Sequence, residues 1–508
     1  MASNTDTHPF SSPGSTSGAT ETALDPKTAK ILPLLVAVSF FMQMLDTSIL
    51  NTALPSIAAD LGTSPLQMQA VVISYLLTVA LFIPTSGWLT DHFGTRPVFM
   101  SAIALFTLGS LTCALSPTLP FLVASRILQG VGGALMVPVG RLAILRAFPR
   151  DQLVRILSFI TIPGLMGPLV GPTLGGVLSH YASWHWVFLI NIPVGLAGIF
   201  FSLRHMPMLP AKTDPGPFDR IGFILFSLFM VCMTLALDGL GELHLGIRIV
   251  IALAALGLVN LALYCVYALK AKSPLFSPAL FAIRNFRVGI LGNLFARLGN
   301  GAMPFLTPLL LQVGLGYNPV QAGLTMLPIT FGSMIAKSFV DKLIKKTGYR
   351  RFLFFNTFFL GFVIAGFALI GPSTPYLGIL GIFLISGIIN SMQFTSMNSL
   401  TLFDLPDDRA GSGNSLLSVI MQLSMGMGIA FASAVLGFTT TSGETVHRGF
   451  QTTYLIMGAV CVVSSFIFLG VQNTHGYASS SPSPNTTEKE KVSAGKQSSP
   501  AASEVTNQ

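Results

Sequence analysis

The chain has 508 residues, of which 51% are hydrophobic and only 9% are charged, and its mean hydropathy is +0.70. Soluble domains carry roughly 25% charged residues, so this composition excludes a water-soluble protein and predicts a chain that crosses the lipid bilayer many times. The net charge of +9 does not indicate nucleic-acid binding, because the basic residues fall in short loops on one side of the predicted membrane.

The two ends of the chain differ from its body in composition. Residues 1–26 and 476–508 are rich in small and polar residues, so each is predicted to be a disordered tail. The first tail lacks a basic stretch before a short apolar core, which argues against a cleaved signal peptide. The four cysteines lie singly in apolar segments and the eight histidines are scattered, so we expect no disulfide, no metal site and no cofactor.

Between the tails, apolar runs of about 20 residues predict an all-α integral membrane protein with fourteen transmembrane helices. The seventh helix is the least clearly bounded, because charged residues lie beside both of its ends. The predicted spans cover residues 31–57, 67–89, 97–116, 119–141, 154–179, 184–203, 219–238, 246–268, 286–312, 319–339, 351–371, 375–397, 412–437 and 450–472.

The distribution of Lys and Arg predicts that both termini face the cytoplasm. Of the 28 basic residues, Arg248 and Arg448 lie in outer loops, Arg126 and Arg297 lie within spans, and all others fall in inner loops or tails. Cytoplasmic loops carry the excess of basic residues, so one missed helix would invert the pattern beyond it. We expect a multi-pass protein of the plasma membrane, in a bacterial cell the inner membrane.

The first span contains a carboxylate, Asp46, in the middle of its apolar run. A charge at this depth costs roughly 2.5–3.5 kcal/mol on insertion scales, and such residues serve ion coupling, substrate binding or a buried pair.

The loop after the second span, from Gly87 to Pro97, contains Asp91, Gly94 and Arg96, and a similar order of Asp, Gly and Arg recurs between the tenth and eleventh spans. A residue pattern that recurs in two loops of one chain is typical of duplicated transporter folds. The glycines permit turns and close approach, Asp91 is placed to accept hydrogen bonds at a helix start, and Arg96 to pair with a carboxylate or a helix end.

The fourth and fifth spans carry the next notable residues. Arg126 shares a helical face with Gln129 in the fourth span. In the fifth span, glycines at intervals of three or four residues form one face that permits close helix contact, and prolines bend the helix. These residues are Gly164, Gly167, Pro168, Gly171, Pro172 and Gly175.

A polar stripe marks the ninth span, where Asn293, Arg297 and Asn300 lie at helical spacing. Such a stripe is expected to face a cavity and not lipid. The chain shows no catalytic Ser-His-Asp set and no phosphate-binding lysine motif, and its loops are too short for a catalytic domain. The sequence therefore predicts neither an enzyme nor an ATP-driven pump.

Several of these segments together resemble the major facilitator superfamily and, within it, the fourteen-helix drug:proton antiporter branch (EmrB/QacA type). The loop departs from the family pattern at His92 and Thr95, where basic residues are usual, so any latch here is expected to be weaker or responsive to pH through His92. The motifs that carry the resemblance are Leu45–Pro55, Gly87–Arg96, Arg126–Gly133, Gly164–Gly176 and Trp184–Pro193, with further likeness in Arg297–Gly323 and Asn398–Gln422.

The resemblance implies a major facilitator fold of two six-helix halves, residues 27–205 and 273–475, joined by a linker, residues 206–272, that contains two extra transmembrane helices. It also implies a proton-coupled exporter of small amphipathic molecules that works by alternating access, draws on the proton gradient, and has protons, lipid and a small-molecule substrate as partners. We expect a monomer. The alternatives are an exporter of one metabolite or anionic compound and, in a different class, a membrane scaffold or sensor that does not transport.

The sequence features and this resemblance together indicate the expected site residues. Asp46 is expected to couple protons, paired with Arg126 or with Arg297, unless the pair is static and only fixes packing. The substrate cavity is expected to include Asn51, Gln129, Asn293, Arg297 and Asn300. Gly87, Asp91, Gly94 and Arg96 would form a cytoplasmic latch that holds the outward-open state. The glycines and prolines of the fifth span would form a seam that opens and closes between the halves, unless they only pack a helix. One acid beside two arginines is a poor site for organic cations, so neutral or anionic substrates are at least as well matched.

Overall fold

A computed structural model describes residues 26–208, 216–240, 245–441 and 446–472. Except for Pro26, the predicted tails lie outside these residues, as do parts of the predicted linker. The described chain is helical almost throughout, because long apolar runs must satisfy their backbone hydrogen bonds internally when lipid surrounds them.

The helices are numbered in chain order. The first eight are α1 (Pro26–Asp60), α2 (Gln69–Phe82), α3 (Thr85–Phe93), α4 (Thr95–Ala114), α5 (Leu119–Ala147), α6 (Arg150–Tyr181), α7 (His185–Leu189) and α8 (Asn191–His205). Two follow in the predicted linker, α9 (Arg220–Leu240) and α10 (Ile247–Lys270). The rest are α11 (Arg284–Asn300), α12 (Met303–Leu309), α13 (Pro319–Thr325), α14 (Leu327–Lys337), α15 (Val340–Thr347), α16 (Tyr349–Gly366), α17 (Tyr376–Phe403), α18 (Asp407–Thr441) and α19 (Val446–Ser465).

Within the described residues, 10 helices are long and apolar enough to cross a membrane, and two bent helix pairs raise this to 12. The fifth and ninth predicted spans fall on α6 and α11, which are outside that set. Helix α6 contains three prolines, and α11 is 17 residues long and is followed by the short α12 and a π-helical turn at Leu310–Gly314. An all-helical, multi-pass membrane fold is therefore confirmed, whereas the count of fourteen and the orientation stay predictions.

The two loops with similar sequence have the same local geometry. Helices α2 and α3 bend by 55° relative to each other, and the segment Pro319–Lys337 bends by 53° relative to α15. Each short helix ends at a glycine in the left-handed region, Gly94 with φ 84° and Gly348 with φ 75°, and the next span begins directly after it. The geometry agrees with duplication, and the predicted half boundaries themselves stay a prediction.

The spans form two packed groups that meet along α2, α6, α13 and α18. In the first group, α1 packs on α5, α6 and α8, and α4 packs on α5. In the second, α11 packs on α17, α18 and α19, and α16 packs on α17 and α19. The groups meet where α18 contacts α2 and where α13 contacts α6.

Helix α9 of the predicted linker packs on α10, α18 and α2, so it contacts both groups. Near the end of α9, only 9% of Asp238 is exposed, and its carboxylate accepts a hydrogen bond from the side-chain amide of Gln69.

Candidate functional site

Asp46 forms a buried ion pair with Arg126. The carboxylate lies on α1 and the guanidinium on α5, each residue is 1% exposed, and Arg126 Nη1 lies 2.7 Å from Asp46 Oδ2. Of the two partners that the sequence left open, the structure brings Arg126 to Asp46. A buried charge requires such a partner, because desolvation without one is very unfavourable.

Two amide side chains complete the coordination of the Asp46 carboxylate. Gln129 Nε2 and Asn191 Nδ2 donate to Asp46 Oδ1 over 2.8 and 3.0 Å. Arg126 Nη1 also donates to Gln129 Oε1 over 2.7 Å. We call Asp46, Arg126, Gln129 and Asn191 the Asp46 cluster. It joins α1, α5 and α8, and both carboxylate oxygens accept hydrogen bonds within it.

Aromatic rings and a fourth helix enclose the cluster. The Arg126 guanidinium lies 4.1 Å from the centre of the Tyr75 ring and 6.0 Å from that of Phe188, so cation–π attraction adds to the ion pair. On α4, the Ser110 hydroxyl accepts from Asn191 Nδ2 at 3.0 Å and donates to the carbonyl of Phe188 at 2.8 Å. These contacts fix the amide of Asn191 toward Asp46.

Close contact between α4 and α5 positions two cluster residues. A Cβ added at Gly109 would lie 2.5 Å from the backbone of Gln129, and one added at Gly132 would overlap the backbone at Phe106. The two helices therefore touch through backbone at Gln129 itself and one turn further along α5, at Gly132. This contact sets the register at which Arg126 and Gln129 face Asp46.

The sequence did not assign a role to Asn191, Ser110 or Tyr75. Asn191 lies in the motif Trp184–Pro193, and a buried asparagine in an apolar run is a recognisable signal of an interhelical hydrogen bond. No local pattern distinguishes Ser110 or Tyr75 from the serines and tyrosines of other spans, since their role depends on which helices pack together.

The predicted cavity residues fall into three places. Gln129 belongs to the Asp46 cluster. Asn51 donates to the carbonyl of Thr47 one turn earlier on α1, at 3.0 Å, and does not join the cluster. Asn293, Arg297 and Asn300 lie together on α11 in the second group of helices, where Arg297 Nε donates to Asn293 Oδ1 at 3.0 Å.

The predicted latch loop is held within the first group. Asp91 Oδ1 lies 2.5 Å from Arg146 Nη2 at the end of α5, and Arg96 donates to the backbone carbonyl of Leu203 at the end of α8. The carbonyl of Gly87 accepts from the Thr90 hydroxyl at 2.8 Å. Arg146 was not singled out from the sequence, although a basic residue in the last turn of a helix favours such contacts.

The exposed imidazole of His92 stacks on the Trp88 ring, with 4.9 Å between their centres. The Trp88 Nε1–H donates to the carbonyl of Gly216, which follows a gap in the described chain, at 3.1 Å. The loop thereby also contacts the segment that leads into α9.

The glycine face of α6 packs mainly on α1. A Cβ at Gly167 would lie 2.7 Å from Leu45 N, and one at Gly164, Gly171 or Gly175 would overlap Phe40, Ser48 or Ile49. These glycines therefore bring α6 against the turns of α1 on either side of Asp46. The last turns of α6 contact α13 of the other group. A Cβ added at Gly323 of α13 would lie 2.5 Å from the Pro172 carbonyl of α6.

This architecture and its buried polar cluster define a membrane transporter, and residues 36–429 match the model of the Major Facilitator Superfamily. The chain belongs to that superfamily and is not an enzyme. The protein named "Putative multidrug resistance protein MdtD" from Escherichia fergusonii is 48% identical over 447 residues, which cover 87% of this chain and 94% of that protein. The protein of the same name from Salmonella paratyphi B is 48% identical over 86% of this chain and 94% of its own length. The matches confirm the superfamily that the sequence motifs indicated.

Solved structures of transporters share the fold at low sequence identity. An auto-inhibited POT family peptide transporter aligns with a TM-score of 0.66 at 13% identity, over 89% of this chain and 98% of that one. A D-xylose-proton symporter aligns with a TM-score of 0.64 at 15% identity, over 88% and 99%. At this identity the likeness concerns the fold alone.

Proposed function

We propose that the protein exports small amphipathic molecules of the multidrug type from the cytoplasm of a bacterium, across the inner membrane, in exchange for protons. The observation that carries this proposal is the Asp46 cluster, in which a buried carboxylate of the first helical group is held by Arg126, Gln129 and Asn191. The name of its relatives, which mentions multidrug resistance, supports export of compounds of that kind.

When Asp46 takes up a proton, Arg126 loses its counter-charge but keeps a hydrogen-bonded and an aromatic partner. When a proton from the outer side binds an Asp46 oxygen, the attraction to Arg126 weakens, and the arginine keeps its bond to Gln129 and its place over the Tyr75 ring. The neutral carboxyl still accepts from Asn191. When the proton leaves toward the cytoplasm, the ion pair forms again, so one proton enters per cycle of the cluster.

Coupling requires that the two states of Asp46 favour different arrangements of the helices. Asp46 lies on α1, which contacts α6 through the glycine face and α5 through Arg126. Loss of the ion pair loosens α5 from α1, and α6 carries that change to α13 in the second group. The loop around Asp91 would hold one of the two states from the cytoplasmic side.

The test replaces Asp46 with Asn in protein reconstituted into liposomes that contain a pH dye. Substrates are presented as ethidium, chloramphenicol and 1-naphthylacetate, which are cationic, neutral and anionic. Wild-type protein is expected to move protons when at least one compound is added, and D46N is expected to bind that compound without moving protons. Asp60→Asn is the matched control, because Asp60 is exposed at the end of the same helix and Asn keeps an acceptor for Trp184.

Proton movement by D46N at the wild-type rate would show that the ion pair is static and only fixes packing. Substrate movement by wild-type protein without any pH change would instead indicate transport that is not coupled to protons. If none of the compounds binds or moves, a scaffold or sensor becomes the better description.

A further inference from the structure

Within the part of the chain that the structure describes, Arg297 is a buried cation without an acidic partner. Only 8% of the residue is exposed, its Nε donates to Asn293, and its guanidinium carbon lies 4.6 Å from the centre of the Phe394 ring. Its Nη2 has no hydrogen-bond partner among the described residues. A buried guanidinium normally has its donors satisfied, because an unmet charged donor carries a large desolvation penalty.

The free side of Arg297 faces a small pocket between α11, α16 and α17. The residues that line it include Asn300, Asn390, Gln393 and Phe394, and none of the lining residues is acidic. The cavity volume is about 10 Å³, far below the roughly 300–1,000 Å³ of pockets for drug-sized molecules. The space beside the guanidinium therefore admits a group about the size of a water molecule or of one carboxylate oxygen, and the rest of a substrate would lie outside it.

The polar groups of the lining are already ordered. Gln393 Oε1 accepts from Asn356 Nδ2 at 2.9 Å, and the amide of Asn300 donates to Asn390. These bonds leave Arg297 as the strongest donor without a matching acceptor. The half-exposed ring of Phe394, at 45% exposure, offers an apolar surface beside the charge.

The Asp46 cluster contains an acidic residue, whereas the lining of the Arg297 pocket contains none. Helices α1, α4 and α5 surround the cluster, and α11, α16 and α17 hold the corresponding places in the chain order of the second group. There a carboxylate on the first helix neutralises an arginine on the fourth span. Here the first helix carries the arginine, and the polar residues that α17 contributes to the pocket lining, Asn390 and Gln393, are neutral.

We propose that the Arg297 pocket binds the carboxylate head group of an amphipathic substrate, which supplies the acceptor that the protein lacks. The guanidinium donates from Nη2 to a carboxylate oxygen, and the apolar part of the substrate lies along Phe394. The uncompensated charge repels organic cations from the same place. This inference rests on the proposed export function in one respect, since it identifies the class of molecule exported.

The first test needs only wild-type protein, purified in detergent and titrated calorimetrically with three matched probes. The probes are 1-naphthylacetate, its methyl ester and 1-naphthylmethylamine. The carboxylate is expected to bind at least about tenfold more tightly than the ester, as the loss of a charged hydrogen bond predicts, and the amine is expected to bind most weakly. Equal binding of acid and ester, or tighter binding of the amine, would overturn the proposal.

The second test assigns the charge to Arg297. Arg297→Gln is expected to lower 1-naphthylacetate affinity by about tenfold or more and to leave ester binding within about twofold. Arg287→Gln is the matched control, because Arg287 is exposed on the same helix, and it is expected to bind like wild type. Unchanged carboxylate affinity in R297Q would place the site elsewhere. If R297Q does not fold, Phe394→Leu replaces it and is expected to weaken carboxylate binding severalfold.

Asp46→Asn separates this inference from the proposed coupling. D46N is expected to keep Arg297-dependent carboxylate binding while it loses proton movement. Carboxylate binding that needs Arg297, in wild-type protein that moves no protons, would contradict the coupling and leave the binding site standing. Proton-coupled movement of the ester or the amine, without movement of the carboxylate, would contradict the proposed binding site and leave the coupling standing.

Discussion

Arg126 and Arg297 are both buried, and the protein stabilises their charges in different ways. Arg126 is neutralised by Asp46 and held by an aromatic ring, whereas Arg297 has an aromatic ring and one amide but no acidic partner among the described residues. Breaking a buried ion pair leaves the remaining charge uncompensated, which is strongly destabilising. The protein is therefore expected to tolerate replacement of Arg297 better than replacement of one member of the Asp46–Arg126 pair.

Asn191 is expected to stabilise the ion pair measurably. Asn191→Ala removes a donor from Asp46 Oδ1 and from Ser110, and a hydrogen bond to a charged group contributes about 1.5–3 kcal/mol. We expect a lower thermal unfolding midpoint in detergent. Asn260→Ala is the control, since the Asn260 amide donates at 2.8 Å to a backbone carbonyl of its own helix. Equal shifts for the two variants would contradict a special role of Asn191.

The sequence predicts that Asp46 pairs with one of two arginines, because a charge buried in an apolar span is costly without an opposite charge beside it. The choice between Arg126 and Arg297 does not, since it depends on which helices touch. Asn191 and Ser110 join the site through contacts between residues 81 positions apart in the chain. Sequence spacing along one helix carries no information about contacts of that kind.

At the scale of whole elements, α6 links the Asp46 cluster to the contact between the two helical groups. Its middle turns pack on α1, and its last turns pack on α13. The sequence predicted a small-residue face that permits close helix contact, and the structure places most of that face against α1. It did not reveal that most of this face meets α1, because periodicity identifies a face and not its partner.

Gly176→Ala is expected to open the contact between α6 and α13. A Cβ there would overlap the carbonyl of Pro319, and overpacking of this kind costs about 1–3 kcal/mol. Spin labels on the exposed ends of α6 and α17, at Tyr181 and Leu377, would report a longer distance by double electron–electron resonance. Gly426→Ala is the control, since nothing lies within 4 Å of its added Cβ. An unchanged distance distribution in G176A would show that the contact does not hold the groups together.

The repeated loops give a prediction about backbone conformation. Gly94 and Gly348 have φ values of 84° and 75° with ψ values of 159° and 155°, a region that is essentially restricted to glycine. Gly94→Ala and Gly348→Ala should each destabilise the protein by about 1–3 kcal/mol, seen as a lower unfolding midpoint. Gly366→Ala is the control, because Gly366 is helical with open space at its Cβ. Tolerance of alanine at either loop would contradict equivalent roles.

For the whole molecule, composition and apolar run length were sufficient to predict a polytopic helical membrane protein. They were less informative where spans break. Helices α2 and α3 bend at a point next to Pro84, and α11 gives way to α12 near Gly301 and Pro304. Pro and Gly in a span permit a continuous bent helix or a true break, and neighbouring helices decide which of them forms.

The predicted count of fourteen spans and the inward-facing termini can be tested at the inserted pair, α9 and α10. If both helices cross the membrane, Gly246 between them lies outside and Ser273 after α10 lies inside, and both positions are exposed. In a chain where the exposed Cys265 is replaced by Ser, G246C should react with a membrane-impermeant maleimide in intact cells. S273C should react only after the membrane is opened. Labelling of both positions only after the membrane is opened would mean that neither α9 nor α10 crosses, and the protein would then have twelve spans. Labelling of both in intact cells would mean that α10 does not cross.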